Sequence, residues 1–226
     1  LASSRLSFSG STVAAAATSD EGVAAQALFI NRAADSAIAA DRTKFVVMAF
    51  RSSRPASAVY AFALDNTTLA LTNSQLTVLT PNGAFGIYTH NVKAGSCVKM
   101  IGGNVKVACC PSPPCTCSAG TAQVALNTYL LSGSSATIRG AHVDVAGATS
   151  ELMFVTNAVV AQVTFASNIV ALAKPEGSAA AAVNIANTGN SNLALLYNNT
   201  IDSHGSVFLA PNDPATWVST DDLFVI

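Results

Sequence analysis

Charged and aromatic residues are scarce in this sequence. Charged residues make up 10% and aromatic residues 7% of the 226 residues, whereas an average soluble domain is about 25% charged. The formal net charge is −1, from 11 Lys and Arg against 12 Asp and Glu. Because phosphate binding needs clustered Lys and Arg, this balance predicts no nucleic-acid partner and no polybasic membrane patch. Half of the residues are hydrophobic, which excludes an intrinsically disordered chain.

Amphipathic helices and membrane spans are also missing from the pattern. No segment carries an apolar stripe of period 3.6 over a helical length. The uncharged stretch 152–173 is long enough to cross a membrane. Polar residues such as Asn157 and Gln162 interrupt it, and β-branched residues dominate it, so we predict two buried strands and no transmembrane segment. No signal peptide pattern is visible, and we expect a mature product, or a segment or repeat of a larger protein, forming a single domain over 1–226.

A repeat of about 31 residues runs along the chain. Seven segments align on it: 6–15, 38–47, 69–78, 98–107, 136–145, 163–172 and 194–203. The first and third positions of each segment are apolar, as are the eighth and, except for Ser203, the tenth, so each segment contains two strands with one buried face. The fifth position is often Gly or Asn, which tolerate the positive φ of a corner.

A third apolar run follows in each unit and ends near an Asn, for example Ala27 to Ile30 before Asn31. Each unit therefore has about three short strands and three turns. The sequence predicts an all-β fold, a single-stranded parallel β-helix (solenoid) of about seven rungs. A β-sandwich or antiparallel barrel is the alternative, but its hairpins every 8–12 residues would not preserve this register.

A Cys- and Pro-rich loop is predicted near residues 109–121, in the longest interval of the repeat. Prolines cannot donate to a β-ladder, so this segment must leave the sheet. The disulfide candidates are all five cysteines of the chain, Cys97, Cys109, Cys110, Cys115 and Cys117. Cys110 with Cys115 or Cys117 would close a short loop, Cys97 with Cys109 is another pairing, and one thiol stays free or pairs with another chain. A metal site at Cys115 and Cys117 is less well supported because no His is near.

Two N-glycosylation sequons begin at Asn66 and Asn198. Both residues fall at predicted corners, where a glycan would be exposed. Asn198 could instead form an Asn ladder with its neighbours. Disulfides and glycans both favour an oxidising, extracellular or cell-surface location.

Catalytic groups are few and scattered. Lys106, Asp144 and His142 form the best cluster, since the repeat places them on neighbouring outward positions. His142 could act as a base and Lys106 as a charge stabiliser, but a surface ion pair beside a solvated His explains the same residues. Asp41 and Arg139 lie three rungs apart. We therefore predict no enzyme activity, no catalytic, cofactor-binding or metal-binding residues, and no cofactor.

The rung 195–201, with sequence LLYNNTI, resembles those of right-handed parallel β-helices of the pectate-lyase-like class. The Ala-, Ser- and Val-rich units also resemble protist surface and extracellular fibril proteins of the dispersed gene family type. The resemblance implies a β-helix at the cell surface.

These observations lead to an expected function. We expect a non-enzymatic extracellular structural protein, a rod that assembles into a filament or surface coat and carries covalently attached glycans. No capping helix precedes Leu6 and the last residues are apolar, so we expect self-association, head-to-tail or with neighbouring chains. The alternative is a polysaccharide-binding or polysaccharide-cleaving β-helix domain.

Overall fold

A computed structural model describes residues 1–17, 24–50, 54–109, 121–147, 149–173, 179–188, 193–203, 206–209, 216–220 and 223–225. All regular secondary structure in these residues is β-strand, and no helix occurs among them. The predicted all-β class is therefore confirmed. The Ala-rich segments, helical by propensity alone, belong to strands because the repeat register places them there. No helix of the described residues is long and apolar enough to span a bilayer.

Twenty-three strands follow one another along the chain. They are β1 (Arg5–Ser9), β2 (Thr12–Ala16), β3 (Gln26–Ala34), β4 (Ala37–Asp41), β5 (Lys44–Met48), β6 (Ala56–Asp65), β7 (Thr68–Thr72), β8 (Gln75–Leu79), β9 (Ala84–Lys93), β10 (Cys97–Ile101), β11 (Asn104–Ala108), β12 (Ala122–Ser132), β13 (Ser135–Arg139), β14 (His142–Ala146), β15 (Thr149–Val159), β16 (Gln162–Ala166), β17 (Ile169–Ala173), β18 (Ala179–Thr188), β19 (Leu193–Tyr197), β20 (Thr200–Ser203), β21 (Ser206–Leu209), β22 (Thr216–Thr220) and β23 (Leu223–Val225).

Every third strand joins the same parallel sheet. The first sheet runs β1-β4-β7 and onward to β22, the second β2-β5-β8 and onward to β23, and the third β3-β6-β9 and onward to β21. Strands β1 to β15 form five consecutive turns of three strands, and β16 to β23 continue the same sheets. The molecule is a parallel β-solenoid of about five turns with three parallel sheets, and the figure of about seven rungs stays a prediction.

The register of the first two sheets agrees with the sequence alignment. Leu6 pairs with Ile38, Ile38 with Leu69, and Leu69 with Val98. In the second sheet Val105 pairs with Val143. These aligned apolar positions point inward and build a core of aliphatic side chains, in which Phe45 and Phe165 are the largest rings. Each inward side chain is therefore stacked on its counterpart about 4.8 Å away.

The corner between the first and second sheets always has two residues. The first of them has positive φ at seven successive corners: Gly10, Arg42, Asn73, Gly102, Gly140, Ser167 and Asn198. This confirms the predicted corner position. The second residue of the corner is buried in most turns, for example Thr43, Ser74 and Asn168.

Among β3 to β16 the corner between the third and first sheets has two residues, except between β9 and β10, where it has three. It carries a ladder of hydroxyl groups: the backbone N–H of Ser36 donates to Oγ1 of Thr67 at 3.3 Å, and the N–H of Thr67 donates to Oγ of Ser96 at 3.0 Å. Each of these hydroxyls donates in turn to a carbonyl oxygen of its own turn, as Thr67 does to Asp65 at 2.8 Å. Buried backbone groups at the corner are thereby satisfied.

Two predictions about the strands were wrong in detail. The third strand of each turn is not short, because β3, β6, β9, β12 and β15 have 9 to 11 residues. The strand continues past Asn31 to Ala34, since an outward Asn leaves the backbone ladder intact. The uncharged stretch 152–173 contains parts of three strands rather than two, because β15 and β16 are separated only by the corner residues Val160 and Ala161.

The third corner, between the second and third sheets, varies in length from turn to turn. Only two residues join β14 to β15, four join β8 to β9, and thirteen join β11 to β12. The predicted Cys- and Pro-rich loop near 109–121 falls at this corner, and its residues 110–120 lie outside the described residues. The variation in repeat length therefore comes mainly from this corner.

Candidate functional site

Lys106, Asp144 and His142 lie on the outer face of the second sheet, as the alignment predicted. Lys106 is the direct register partner of Asp144, and Asn104 is the partner of His142. All of these side chains are exposed. Within the described part of the chain no ion pair joins Lys106 to Asp144, so the expected surface ion pair is not formed. The residues are neighbours, but no contact organises them into a site.

The second charged pair from the alignment is also not formed. Asp41 lies three rungs from Arg139, as expected. Asp41 Oδ2 instead accepts from Nε of the adjacent Arg42 at 2.9 Å, with both side chains well exposed. Among the residues that the structure describes, no group of three His, Cys, Asp or Glu could hold a metal ion.

The cysteines are divided between described and undescribed residues. Cys97, half-buried in β10, is a free thiol. Cys109 is disulfide-bonded. The alternative pairing of Cys97 with Cys109 is therefore not formed. Cys110, Cys115 and Cys117, with the short loops proposed among them, lie outside the described residues.

Both sequon asparagines occupy exposed corners with positive φ. Asn66 has φ 43° and donates from Nδ2 to Oδ1 of Asp35 at 2.8 Å. Asn198 has φ 55° and is exposed. The expected Asn ladder exists, but it is formed by the next residue, Asn199, with Asn168. The residue at the corner with positive φ points outward, and the one after it points into the core.

Stacked aromatic rings cover the outer face of the third sheet, a feature that sequence reasoning missed. We call Phe29, Tyr60 and Tyr88 the first ring ladder; its ring centroids are 5.4 and 5.1 Å apart, with interplanar angles of 25° and 4°. The second ring ladder contains Phe62, His90 and Tyr129, at 4.9 and 4.6 Å. Such offset ring pairs contribute about 0.5–1.5 kcal/mol each beyond the area that they bury. An alignment of the repeats extended to the third apolar run of each unit would have predicted both ring ladders.

An open cleft of about 590 Å³ lies along the first ring ladder, and we call it the aromatic cleft. Five of its twelve described lining residues are aromatic and all but Arg54 are uncharged: Ala24, Gln26, Phe29, Arg54, Pro55, Ser57, Tyr60, Phe85, Tyr88, Asn127, Phe154 and Thr156. These residues come from five successive turns, so the cleft runs parallel to the solenoid axis. At about 4.8 Å per rung it extends roughly 19 Å.

The aromatic cleft has a partly desolvated phenol at its centre. Burial raises the pKa of the Tyr88 hydroxyl above its usual value of 10.0, and the neighbouring hydroxyls of Tyr60 and Tyr129 raise it further. Tyr88 is therefore a neutral hydrogen-bonding group at all ordinary pH values. The cleft offers uncharged donors and acceptors beside apolar ring surface.

No protein-family model, no curated protein and no solved structure matches the chain. The fold, a parallel β-solenoid, is shown by the strand pairing. The function is argued from the side chains on its surface.

Proposed function

We propose that the protein is a non-enzymatic structural component of an extracellular surface coat or filament, a right-handed β-solenoid rod that associates with further copies of itself. The in-register stacking of its strands supports this proposal. From β1 to β17 two of the three corners have only two or three residues, and both carry hydrogen bonds between polar groups of successive turns. A scaffold of this kind can be extended by further turns without a change in cross-section.

The scarcity of charge on the outer faces also favours self-association. In the first sheet the central outward position is small and uncharged over three turns, with Ser7, Ala39 and Ala70. Side chains of this kind can be covered by a neighbouring chain at little cost, because no ionised group has to be desolvated. Glycans at Asn66 or Asn198 would project from corners and leave the faces free.

Electron microscopy of the native material, together with sedimentation velocity of the purified chain at rising concentration, tests the structural proposal. We expect filaments or sheets in micrographs and a sedimentation coefficient that rises with concentration. Dispersed monomers in both measurements would contradict it.

A second function, polysaccharide binding, is favoured by one observation, the aromatic cleft. Sugar rings have apolar faces and hydroxylated edges, and therefore pack well on aromatic side chains with polar groups beside them. The described lining contains no Asp or Glu, whereas glycoside hydrolysis normally uses two carboxylates. We therefore propose binding without cleavage at this cleft.

Affinity gel electrophoresis in neutral and acidic polysaccharides tests the second function. We expect retardation in at least one polysaccharide, and loss of it in Tyr60→Ala. Phe62→Ala is the matched control, because Phe62 is a half-buried ring of the neighbouring ladder that does not line the cleft. Equal loss of binding in both variants would show that the ladders act through stability alone and would contradict the proposal.

A further inference from the structure

The ring column in the aromatic cleft is interrupted at one turn. Phe29, Tyr60 and Tyr88 are followed in register by Asn127, and Asn127 is followed by Phe154. Among the five turns that line the cleft, four thus carry a ring in this column and one carries a short amide; beyond Phe154 the column continues with Asn184 and Leu209. The three residues at the interruption, Tyr88, Asn127 and Phe154, all line the cleft.

The interruption leaves room for one flat group. Tyr88 and Phe154 stand two rungs apart, about 9.6 Å along the axis. A ring packed between two others needs about 3.5–4.0 Å on each side, or roughly 7–8 Å in total. The space over Asn127 therefore suits a single six-membered ring between the two aromatic side chains.

Asn127 supplies a polar side chain at the interruption of the ring column. The residue is 8% exposed. Within the described residues its side-chain amide makes no hydrogen bond, while its backbone carbonyl accepts one from the hydroxyl of Thr89. Its amide atoms are not among the buried polar atoms that lack a partner in the described residues, so they are accessible from the cleft. At the floor of an open cleft, the amide offers two donors and one acceptor to a bound molecule.

The surroundings determine the class of ligand. An apolar ring would leave the amide of Asn127 unpaired, so the ligand carries hydroxyl or similar groups at its edge. A nucleotide would need cations for its phosphates, but Arg54 is the one charged residue in the described lining. The hydroxyl of Thr156 lies two residues along the strand from Phe154 and is available to the same ligand edge.

We infer that the gap over Asn127 is a subsite for one uncharged sugar ring of a polysaccharide, held between Tyr88 and Phe154 and hydrogen-bonded to the Asn127 amide. This subsite rests on the second function proposed above. At this subsite one sugar ring of the polysaccharide is enclosed, and the neighbouring sugar rings lie along the first ring ladder.

The decisive variant is Asn127→Phe, which completes the ring column and fills the gap. Binding is measured by affinity electrophoresis in hydroxyethyl cellulose, xyloglucan, galactomannan and polygalacturonate. We expect the variant to fold and to bind the preferred neutral polysaccharide roughly tenfold more weakly than the original chain. Asn31→Phe is the matched control, because it makes the same substitution on the same face, outside the cleft, and should bind within about twofold of the original chain.

Asn127→Ala keeps the test informative if the Phe variant does not fold. It leaves the gap open but removes the amide, and we expect an intermediate loss of affinity. Undiminished binding by both folded Asn127 variants would overturn the subsite while leaving polysaccharide binding at the cleft intact. Binding of polygalacturonate alone would overturn the uncharged class of ligand. No binding of any polysaccharide by the original chain would overturn the second function and the subsite together.

Discussion

The side chain of Asn168 donates a hydrogen bond from Nδ2 to Oδ1 of Asn199 over 2.9 Å, one turn further along the solenoid. The same Nδ2 donates to the carbonyl oxygen of Ile138 at 3.0 Å, and Oδ1 of Asn168 accepts from the backbone N–H of Ala141 at 3.0 Å. Asn199 repeats the arrangement by donating to the carbonyl of Phe165 at 3.1 Å. Two fully buried amides thus satisfy backbone groups of two consecutive turns at one corner.

Replacement of Asn168 by Ala should lower the free energy of unfolding by about 2–4 kcal/mol, because several buried groups lose their partners at once. Urea denaturation measures the loss. Asn104→Ala is the control, since Asn104 is exposed on a strand and its removal should cost less than about 0.5 kcal/mol. Similar midpoints for the two variants would contradict a structural role for the amide ladder.

Val160 is a β-branched residue in the left-handed region, with φ 51°. Its counterparts at the same corner include Asp35, Asn66 and Gly133, which adopt positive φ with less strain. Val160→Asn should therefore raise the free energy of unfolding by about 1 kcal/mol. The change is measured by thermal and urea denaturation.

The control for this substitution is the preceding residue. Val159 is exposed to a comparable degree but belongs to strand β15, where Asn has low propensity. Val159→Asn should therefore be neutral or destabilising. A stabilising effect of the same size at both positions would show that the gain comes from lost surface hydrophobicity and not from the backbone.

Gly103 lies where a side chain cannot fit. Its φ is 87°, and an added Cβ would lie 2.0 Å from the carbonyl oxygen of Ser74 in the turn below. Gly103→Ala should therefore lower the free energy of unfolding by about 2–4 kcal/mol, from strain and forced displacement. At Gly10, with φ 58°, an added Cβ would meet nothing within 4 Å, so Gly10→Ala should cost only about 1 kcal/mol. Equal losses would contradict the close packing of this corner.

The raised pKa of Tyr88 predicts a loss of stability at alkaline pH. Because the folded protein holds the phenolic proton more tightly than the unfolded chain, the contribution is complete below pH 10 and is lost as the pH rises through the pKa of the folded state. Phenolate absorbance should show one late-titrating tyrosine, absent in Tyr88→Phe. The variant should also lose less stability above pH 10, and an unchanged alkaline slope would contradict the prediction.

The first two sheets were predicted from the sequence in register, and the third was not. The corner between the first two sheets always has two residues, so a fixed alignment keeps positions such as Leu69 and Leu76 in their columns. The variable corner precedes the third sheet and shifts its strands by different amounts in each turn. The alignment therefore did not pair Tyr60 with Tyr88, and it predicted neither the ring ladders nor the gap at Asn127.

For the exposed charged residues the predicted position was right and the predicted contact was wrong. The alignment placed Lys106 beside Asp144 correctly, but it could not show whether their side chains would pair. Two solvated ions gain little from contact and lose side-chain entropy by making it. The expected ion pair was therefore wrong although the register was right.

The variable corner gives the molecule one edge at which sequence can be added without disturbing the rest. Among β2 to β15 the connections between the second and third sheets range from two to thirteen residues, whereas those at the other two corners have two or three. Segments added at the variable corner, natural or grafted next to Asn82, would be displayed on one side of the rod at multiples of about 4.8 Å. The rise per turn of the solenoid thus sets the spacing between the groups that its loops carry.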